Sequence, residues 1–468
     1  MEKTQGQLLE EQLLMQPENG TLRLTDEEIE KAYAFCEPYK KFMDDAKIET
    51  EAVRAAIALL EQNGYHPFEA GKKYNPGERF YYNNRGKALI FGTMGTRPIE
   101  KGVKILAAHV DSPRLDLKQR PLFEESEMGY LKTHYYGGIK KYQWPTVPLA
   151  LHGEVYKKDG TMISVTIGED PSDPVFCVTD LLVHLAGDQM QKKASEVVTG
   201  EQLNLLIGSR AFRDDKVSQK VKLNLMKILN EKYGIVESDL LSAELTCVPA
   251  DHARDIGLDR SLIGAYGHDD RVCAYTEMMA EIDNHNPEWT SVVIFADKEE
   301  TGSNGNTGMH SHFLKFFLSD LAEPFGVPVR KVLSNSKCLS ADVSAAFDPA
   351  FAECFEKQNS SFINYGVCVV KYTGSRGKGG TNDCGAHFCN QVRKVMDDAG
   401  VVWQTGELGK VDQGGGGTVA MYISELDVDV IDIGVPVLSM HAPMEVVSKV
   451  DVYETYRGFH AFLQANLD

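Results

Sequence analysis

Four apolar runs in this sequence each end in residues able to bind a metal ion. "VKILAAHVD" delivers His109 and Asp111, and "SVVIFADKEE" delivers Glu299 and Glu300. "KVLSNSKCLSAD" delivers Asp342, and "VDVIDIGVPVLSMH" delivers His441. In open α/β sheets, sites form outside the carboxyl ends of the strands. If these runs are neighbouring strands, their last residues share one pocket of His, Asp and Glu. Taken singly, each is as readily a loop carboxylate or a hydrogen-bonded histidine; that account is strained for four together. A fifth piece is "AYGHDDRVCAYTEMMAEID", where Val272, Tyr275, Met279 and Ile282 fall at helical spacing. Asp269 and Asp270 then stand at a helix start, where the helix dipole favours negative charge. Helix capping explains one aspartate comfortably and two less well.

Adjacent carboxylates such as Glu299 and Glu300, aimed into one cleft, repel by about 4 kcal/mol at 4 Å with an effective dielectric near 20. A cation removes that cost. If one of the pair holds the cation, the other is free to act as a base. The donors are oxygen and imidazole nitrogen without cysteine, which suits zinc, cobalt or manganese better than calcium. The set is too large for one closed tetrahedral zinc. It suits two ions about 3.5–4 Å apart that share a bridging carboxylate.

Several elements must hold these residues in place. "TDEEIEKAYAFCEPYKKFMDD" reads as a helix, with Thr25 and Glu28 as a capping box. "ETEAVRAAIALLEQNG" reads as a second helix, stopped at Asn63-Gly64. "RFYYNNRGKALIFGTMG" reads as a hairpin that turns over 83–86. The texture changes over 113–245. "ALHGEVYKKDGTMISVTIG" alternates apolar and polar residues around Asp159-Gly160, a hairpin signal, and "DDKVSQKVKLNLMKILNEKYG" reads as a helix. This stretch is taken as an inserted, β-rich domain between 1–112 and 246–468. From about residue 250 apolar strands alternate with helices, which indicates an α/β layer fold.

Composition sets the bounds. A chain of 468 residues fits two or three domains. Its formal charge is 49 − 68 = −19, so nucleic acid and anionic membrane surfaces are poor partners. No stretch reaches the ~20 apolar residues of a membrane span. "MEKTQGQLLEEQLLMQ" lacks an apolar core of signal-peptide type, and its leucines fit an amphipathic helix or arm. Nine scattered cysteines without a CxxC pair favour reduced thiols and a cytoplasmic protein. The glycine run in "VDQGGGGTVAM" lacks the lysine of a phosphate loop.

"AAHVDSPRLDLK", "GHDDRVCAY", "DKEETGSNG", "SADVSAAFDP" and "SMHAPMEVVSKVDVY" follow one another in this order. With these motifs the sequence resembles the aspartyl aminopeptidase family of di-zinc metallopeptidases, in its bacterial, clostridial-type branch. The resemblance runs from about residue 20 to the carboxyl end. It implies a three-layer αβα sandwich with a mixed, mostly parallel sheet, and an inserted domain at 113–245 that builds dimers. His109 and Asp342 would bind one metal ion, Glu300 and His441 the other, and Asp269 would bridge both. Asp111 would orient His109, Glu299 would be the general base, and the Asp269–Asp270 peptide would be cis. The ions would be zinc, with cobalt or manganese as alternatives, and would activate a water against the first peptide bond of a substrate with a free N-terminus. The family name implies an acidic first residue. The resemblance also implies a tetrahedral dodecamer in which His184, in "VTDLLVHLAGDQM", enters a neighbour's active site. Gly415 and Gly416 would line the cleft.

One loop departs from the family pattern. "KYTGSRGKGGTNDCGAH" falls where an acidic side chain would be read, without the residues associated with that preference. Arg376 and Lys378 are either partners for a substrate carboxylate or solvated surface charges. Two rival readings stand beside the aminopeptidase: another di-metal amidohydrolase (a carboxypeptidase or deacylase), and a silent shell or cargo protein. Intact Glu299 and intact ligand positions speak against the silent protein.

Overall fold

The runs that end in the metal-capable residues pair side by side. A computed structural model of the chain describes residues 3–467. In it Ser291–Ala296, Lys104–His109, Lys337–Ala341 and Asp429–Gly434 are neighbouring strands in that order, all parallel. The hairpin Arg79–Asn84/Ala88–Thr93 continues the sheet antiparallel on one side, followed by His66–Pro67. Val367–Val370 and Trp403–Thr405 continue it on the other, giving nine strands. The sheet is mixed and mostly parallel, as the sequence leads one to expect.

The central strands are buried on both faces, which is why their sequences are continuous apolar runs without alternation. Successive residues still point to opposite sides. Leu106 and Ala108 join one apolar cluster with residues of the helices Asp26–Asp45, Glu49–Gln62, His268–Ile282, Ala386–Asp398 and Lys449–Gln464. Ile105 and Ala107 join a second cluster with Phe313–Ala322, Val329–Leu333 and Ala420–Ser424. Helices therefore cover both faces, and the fold is a three-layer αβα sandwich. The helix Asp26–Asp45 starts at the Thr25–Glu28 capping box.

Between Lys104–His109 and the rest of this sandwich the chain forms a seven-stranded antiparallel sheet from strands lying within 114–249. It includes Arg114–Glu125, Met128–Tyr136 and the hairpin Leu149–Tyr156/Met162–Ile167. Leu115, Trp144, Leu149, Leu205 and Val248 give it an apolar cluster of its own. The lysine-rich segment is the helix Lys220–Tyr233, ended by Gly234 in the left-handed region.

A small five-stranded sheet matters for the site although its strands are short. It contains Leu262–Ala265, Pro436–Leu438 and Glu445–Ser448. Leu262–Ala265 leads into the helix start that bears Asp269. The link between the other two carries His441. One sheet thus sets two of the candidate ligands. The amino-terminal helix Gln5–Leu13 buries none of its residues. Among the described residues no helix is long and apolar enough to cross a membrane.

Candidate metal centre

His109 is the last residue of its strand, Asp342 directly follows Lys337–Ala341, and Glu299 opens a single 3-10 turn just beyond Ser291–Ala296. Lys298 and Gly302, both with left-handed backbone, bracket that turn and fix the direction of the glutamates. Gly267 precedes the helix His268–Ile282 at φ 75°; a Cβ there would lie 1.6 Å from Arg271 Nη2, so only glycine fits. Asp269 and Asp270 have non-helical backbone angles within the helix start, and the peptide between them is cis.

These residues converge on Asp269. Its Oδ1 lies 3.2 Å from His109 Nε2, and its Oδ2 lies 3.1 Å from His441 Nε2. Glu300 Oε1 is 3.3 Å from His441 Nε2. Glu299 Oε2 and Asp342 Oδ1 stand 3.8 and 4.0 Å from His109 Nε2. Potential donor atoms of His109, Asp270 and Asp342 lie within 4.8 Å of one another, and so do those of Asp269, Glu300 and His441.

The other nitrogen of each imidazole decides what these distances mean. His109 Nδ1 donates to the Asp111 carbonyl at 2.9 Å, and His441 Nδ1 donates to the Gly138 carbonyl at 2.8 Å. A carbonyl oxygen can only accept, so both hydrogens sit on Nδ1. In a neutral ring each Nε2 then presents a lone pair to carboxylate oxygens, an arrangement that needs a cation between them. Asp269 Oδ1 and Glu300 Oε1 are buried without a hydrogen-bond partner, as is Asp270 Oδ1. The donors are nitrogen and oxygen only, with carboxylates in excess. That chemistry fits zinc.

The local electrostatics agree. Burial pushes Glu299 up to about 7, assisted by the neighbouring Asp111 and Asp269 against the pull of His109. Burial and adjacent carboxylates also hold Glu300 and Asp342 well above the ordinary range. Burial alone would lower His109 and His441. Their acidic neighbours outweigh it, and His441 rises to about 10. Asp269 goes the other way: burial raises it, but the two imidazoles hold it well below the usual carboxylate range.

Groups outside the pocket orient the ligands. Fully buried Asp111 accepts from the Glu299 and Glu300 amides at 3.1 and 3.2 Å. Glu445 accepts from the His441 amide at 2.6 Å and from the Asp269 amide at 3.0 Å. Asp111 is one of the residues picked from the sequence. Glu445 and Gly138 are not. Glu445 follows His441 by four residues inside a quoted motif, but nothing in that spacing marks it as a support.

A cavity of about 380 Å³ opens beside these residues, lined by Asp269, Glu299, Glu300, Asp342 and His441 and extending to Val370, Thr373, Glu407 and Asp432. Gly415 and Gly416 line it as well. Gly415 has φ 96°, and a Cβ there would press on Ser375 Cα at 2.4 Å. Lys378 stands apart from this lining. Its ammonium pairs with Asp383 at 2.9 Å and sits 3.6 Å from the centre of the Tyr372 ring. His184 lies far along the chain, exposed on the 3-10 turn Val183–Leu185, and is not among the cavity's lining residues.

Sandwich and site together define a metal-dependent hydrolase. The family described as aminopeptidase I zinc metalloprotease (M18) matches residues 42–463, and the chain belongs to it. It is thus a zinc aminopeptidase of the family the sequence resembles. A probable M18 family aminopeptidase 1 of Clostridium acetobutylicum is 50% identical over 459 residues, covering 96% of this chain and 99% of the relative. The crystal structure of aminopeptidase I from that organism has a TM-score of 0.92 at 48% identity, covering 97% of this chain and 100% of its own. The M18 aminopeptidase of Thermotoga maritima also has a TM-score of 0.92, at 44% identity, covering 96% and 99%. The S. cerevisiae mApe1 dodecamer shares the fold, with a TM-score of 0.74 at 22% identity over 93% of this chain and 97% of its own.

Proposed function

We propose that the enzyme works with two zinc ions, one held by His109 and Asp342, the other by Glu300 and His441, with Asp269 between them. The observation that carries this reading is the pair of Nε2 atoms facing opposite oxygens of one buried carboxylate. Cobalt or manganese would suit the same donors. When bound, the ions supply Lewis acidity toward the scissile carbonyl and its attacking water. Glu299, free of the ligand set, takes the proton of that water and returns it to the leaving amine. Asp111 holds the Glu299 amide and the His109 ring, so base and ligand keep a fixed relation. Membership of the aminopeptidase family favours a substrate with a free α-amine. The direct test compares peptides with free and blocked amino ends on the zinc-loaded protein. Equal or faster cleavage of the blocked peptides would move the reading to a deacylase or carboxypeptidase.

The finer preference follows from the cavity wall. Its lining includes Glu407 and neither lysine nor arginine. A substrate carboxylate placed there meets like charge, and each 1.4 kcal/mol of repulsion is tenfold in affinity. We therefore propose that neutral or basic first residues are taken in preference to acidic ones. Leucyl and lysyl anilides are expected to exceed aspartyl anilide in kcat/KM by at least about tenfold. An aspartyl substrate that matches or beats them refutes this.

The stretch 113–245 is proposed as an inserted domain that builds a homo-oligomer, in full a tetrahedral dodecamer of dimers. Leu182, Val183, Leu185 and Met190 around His184 are largely exposed, Val183 at 77%. An apolar strip of this kind marks an association surface, and it supports a role for His184 in a neighbour's site. Sedimentation of the purified protein tests this: a monomer at micromolar concentration would rule it out. The composition supports a cytoplasmic setting with neither nucleic acid nor membrane as partner, and family membership supports peptides as substrates.

A further inference from the structure

We propose that residues 136–138, at the end of a strand of the seven-stranded sheet, form a positioning clamp that fixes both imidazoles of the zinc centre; the inference rests on the reading of His109 and His441 as ligands. The Tyr136 hydroxyl donates to Asp111 Oδ2 at 2.7 Å. That oxygen also accepts the Glu300 amide, while Oδ1 accepts the Glu299 amide and lies 3.3 Å from His109 Nδ1. A single buried residue, Asp111, thus ties His109 through its carbonyl and the backbone of both glutamates through its carboxylate, and Tyr136 holds that carboxylate from outside the sandwich. Two residues on, the Gly138 carbonyl receives the His441 Nδ1 hydrogen. His109 and His441 lie on opposite oxygens of Asp269, so one short segment reaches both halves of the site.

Its composition fits that task. Gly137 has φ 72°, and a Cβ there would stand 3.3 Å from Glu300 Cβ, Glu300 Oε2 and Pro113 Cβ. A Cβ on Gly138 would stand 3.4 Å from His441 Nδ1. The segment therefore passes the ligands with bare backbone. The Tyr136 ring is braced in turn by the Arg114 guanidinium, 4.3 Å from its centre. Arg114 Nη1 pairs with Glu49 Oε2 at 2.7 Å, and Arg114 Nε pairs with Asp116 Oδ1 at 2.8 Å. Glu49 is the first residue of the helix Glu49–Gln62 on the nine-stranded sheet. The clamp is thereby anchored across the junction between the two sheets. Packing alone would be served by phenylalanine; the hydroxyl is what the clamp requires.

The test uses zinc-loaded protein with the variants Tyr136→Phe, Gly137→Ala and His441→Ala. Tyr136→Phe is expected to weaken zinc binding about 10–100-fold in competition with a chromogenic chelator. It should also lower kcat with KM within about twofold, and change the visible spectrum of the cobalt-substituted protein. Gly137→Ala is expected to weaken zinc in the same direction by displacing Glu300. Wild-type zinc affinity, spectrum and kcat in Tyr136→Phe, with zinc lost in His441→Ala, would overturn the clamp and leave the ligand reading standing. Full zinc retention in His441→Ala would remove the ligand reading and the clamp with it. Metal-stripped Tyr136→Phe melting below metal-stripped wild type by enough to account for the zinc loss would reduce Tyr136 to a packing residue and also overturn the proposal.

Discussion

Glu299→Gln is expected to lower kcat by at least the ~10²–10⁴-fold that a positioned general base contributes, while zinc content stays at the wild-type level. The amide keeps the shape of the side chain and the backbone bond to Asp111 at 3.1 Å, but it cannot take a proton. The assignment depends on the division of labour between two consecutive residues. Glu300 Oε1 lies 3.3 Å from His441 Nε2, whereas Glu299 approaches His109 only to 3.8 Å. Distance alone does not divide them, since Asp342, placed as a ligand, stands 4.0 Å from the same His109 nitrogen; the division is the one the family resemblance implies. Steady-state kinetics on a peptide with a free amino end, alongside zinc analysis of the same preparation, checks both halves. Near-normal turnover would take Glu299 out of the mechanism. Zinc loss equal to the loss of rate would make it a ligand instead.

Asp269→Asn has the second large effect. Each oxygen of Asp269 serves a different histidine, at 3.2 and 3.1 Å. An amide offers one oxygen and turns a nitrogen with two hydrogens toward the other side. The expected result is loss of at least one zinc ion per chain. Turnover should fall by more than the ~10–100-fold that follows loss of an outer-shell partner. The metal-free variant should be less stable than metal-free wild type at neutral pH, because the change removes the one carboxylate charge that both imidazoles hold low, at 3.2 and 3.1 Å. Zinc titration by calorimetry and thermal denaturation of the stripped proteins give the two readings. Two zinc ions bound at wild-type affinity would exclude the bridging role.

Much of this site was legible because strand ends are legible. His109, Glu299, Glu300 and Asp342 each stand at or just beyond an apolar run long enough to be read as a buried strand, and parallel strands bring such ends together. Asp269 was legible as a helix start. Supporting residues were not. Tyr136 comes from the antiparallel sheet, Glu445 from a four-residue strand and Gly138 acts through its backbone, so none leaves a pattern in residue type or spacing. The five-stranded sheet escaped for the same reason: Ser344–Ala345 and Pro436–Leu438 are too short to show periodicity. Lys378 is a different case. Its charge suggested a substrate contact, but Asp383 lies five residues on and takes the ammonium for itself.

The pinning of both Nδ1 hydrogens by carbonyl groups has a thermodynamic corollary. Only Nε2 of either ring remains to exchange one positive species for another, and both rings titrate above their ordinary range. Below those values Nε2 carries hydrogen, so each ion taken up must expel it, and loading acidifies an unbuffered solution. The coupling runs in one direction with pH: mild acid competes for the same lone pairs and loosens the ions, while alkaline conditions tighten them. The enzyme's dependence on dissolved zinc is therefore expected to steepen as its surroundings become more acidic.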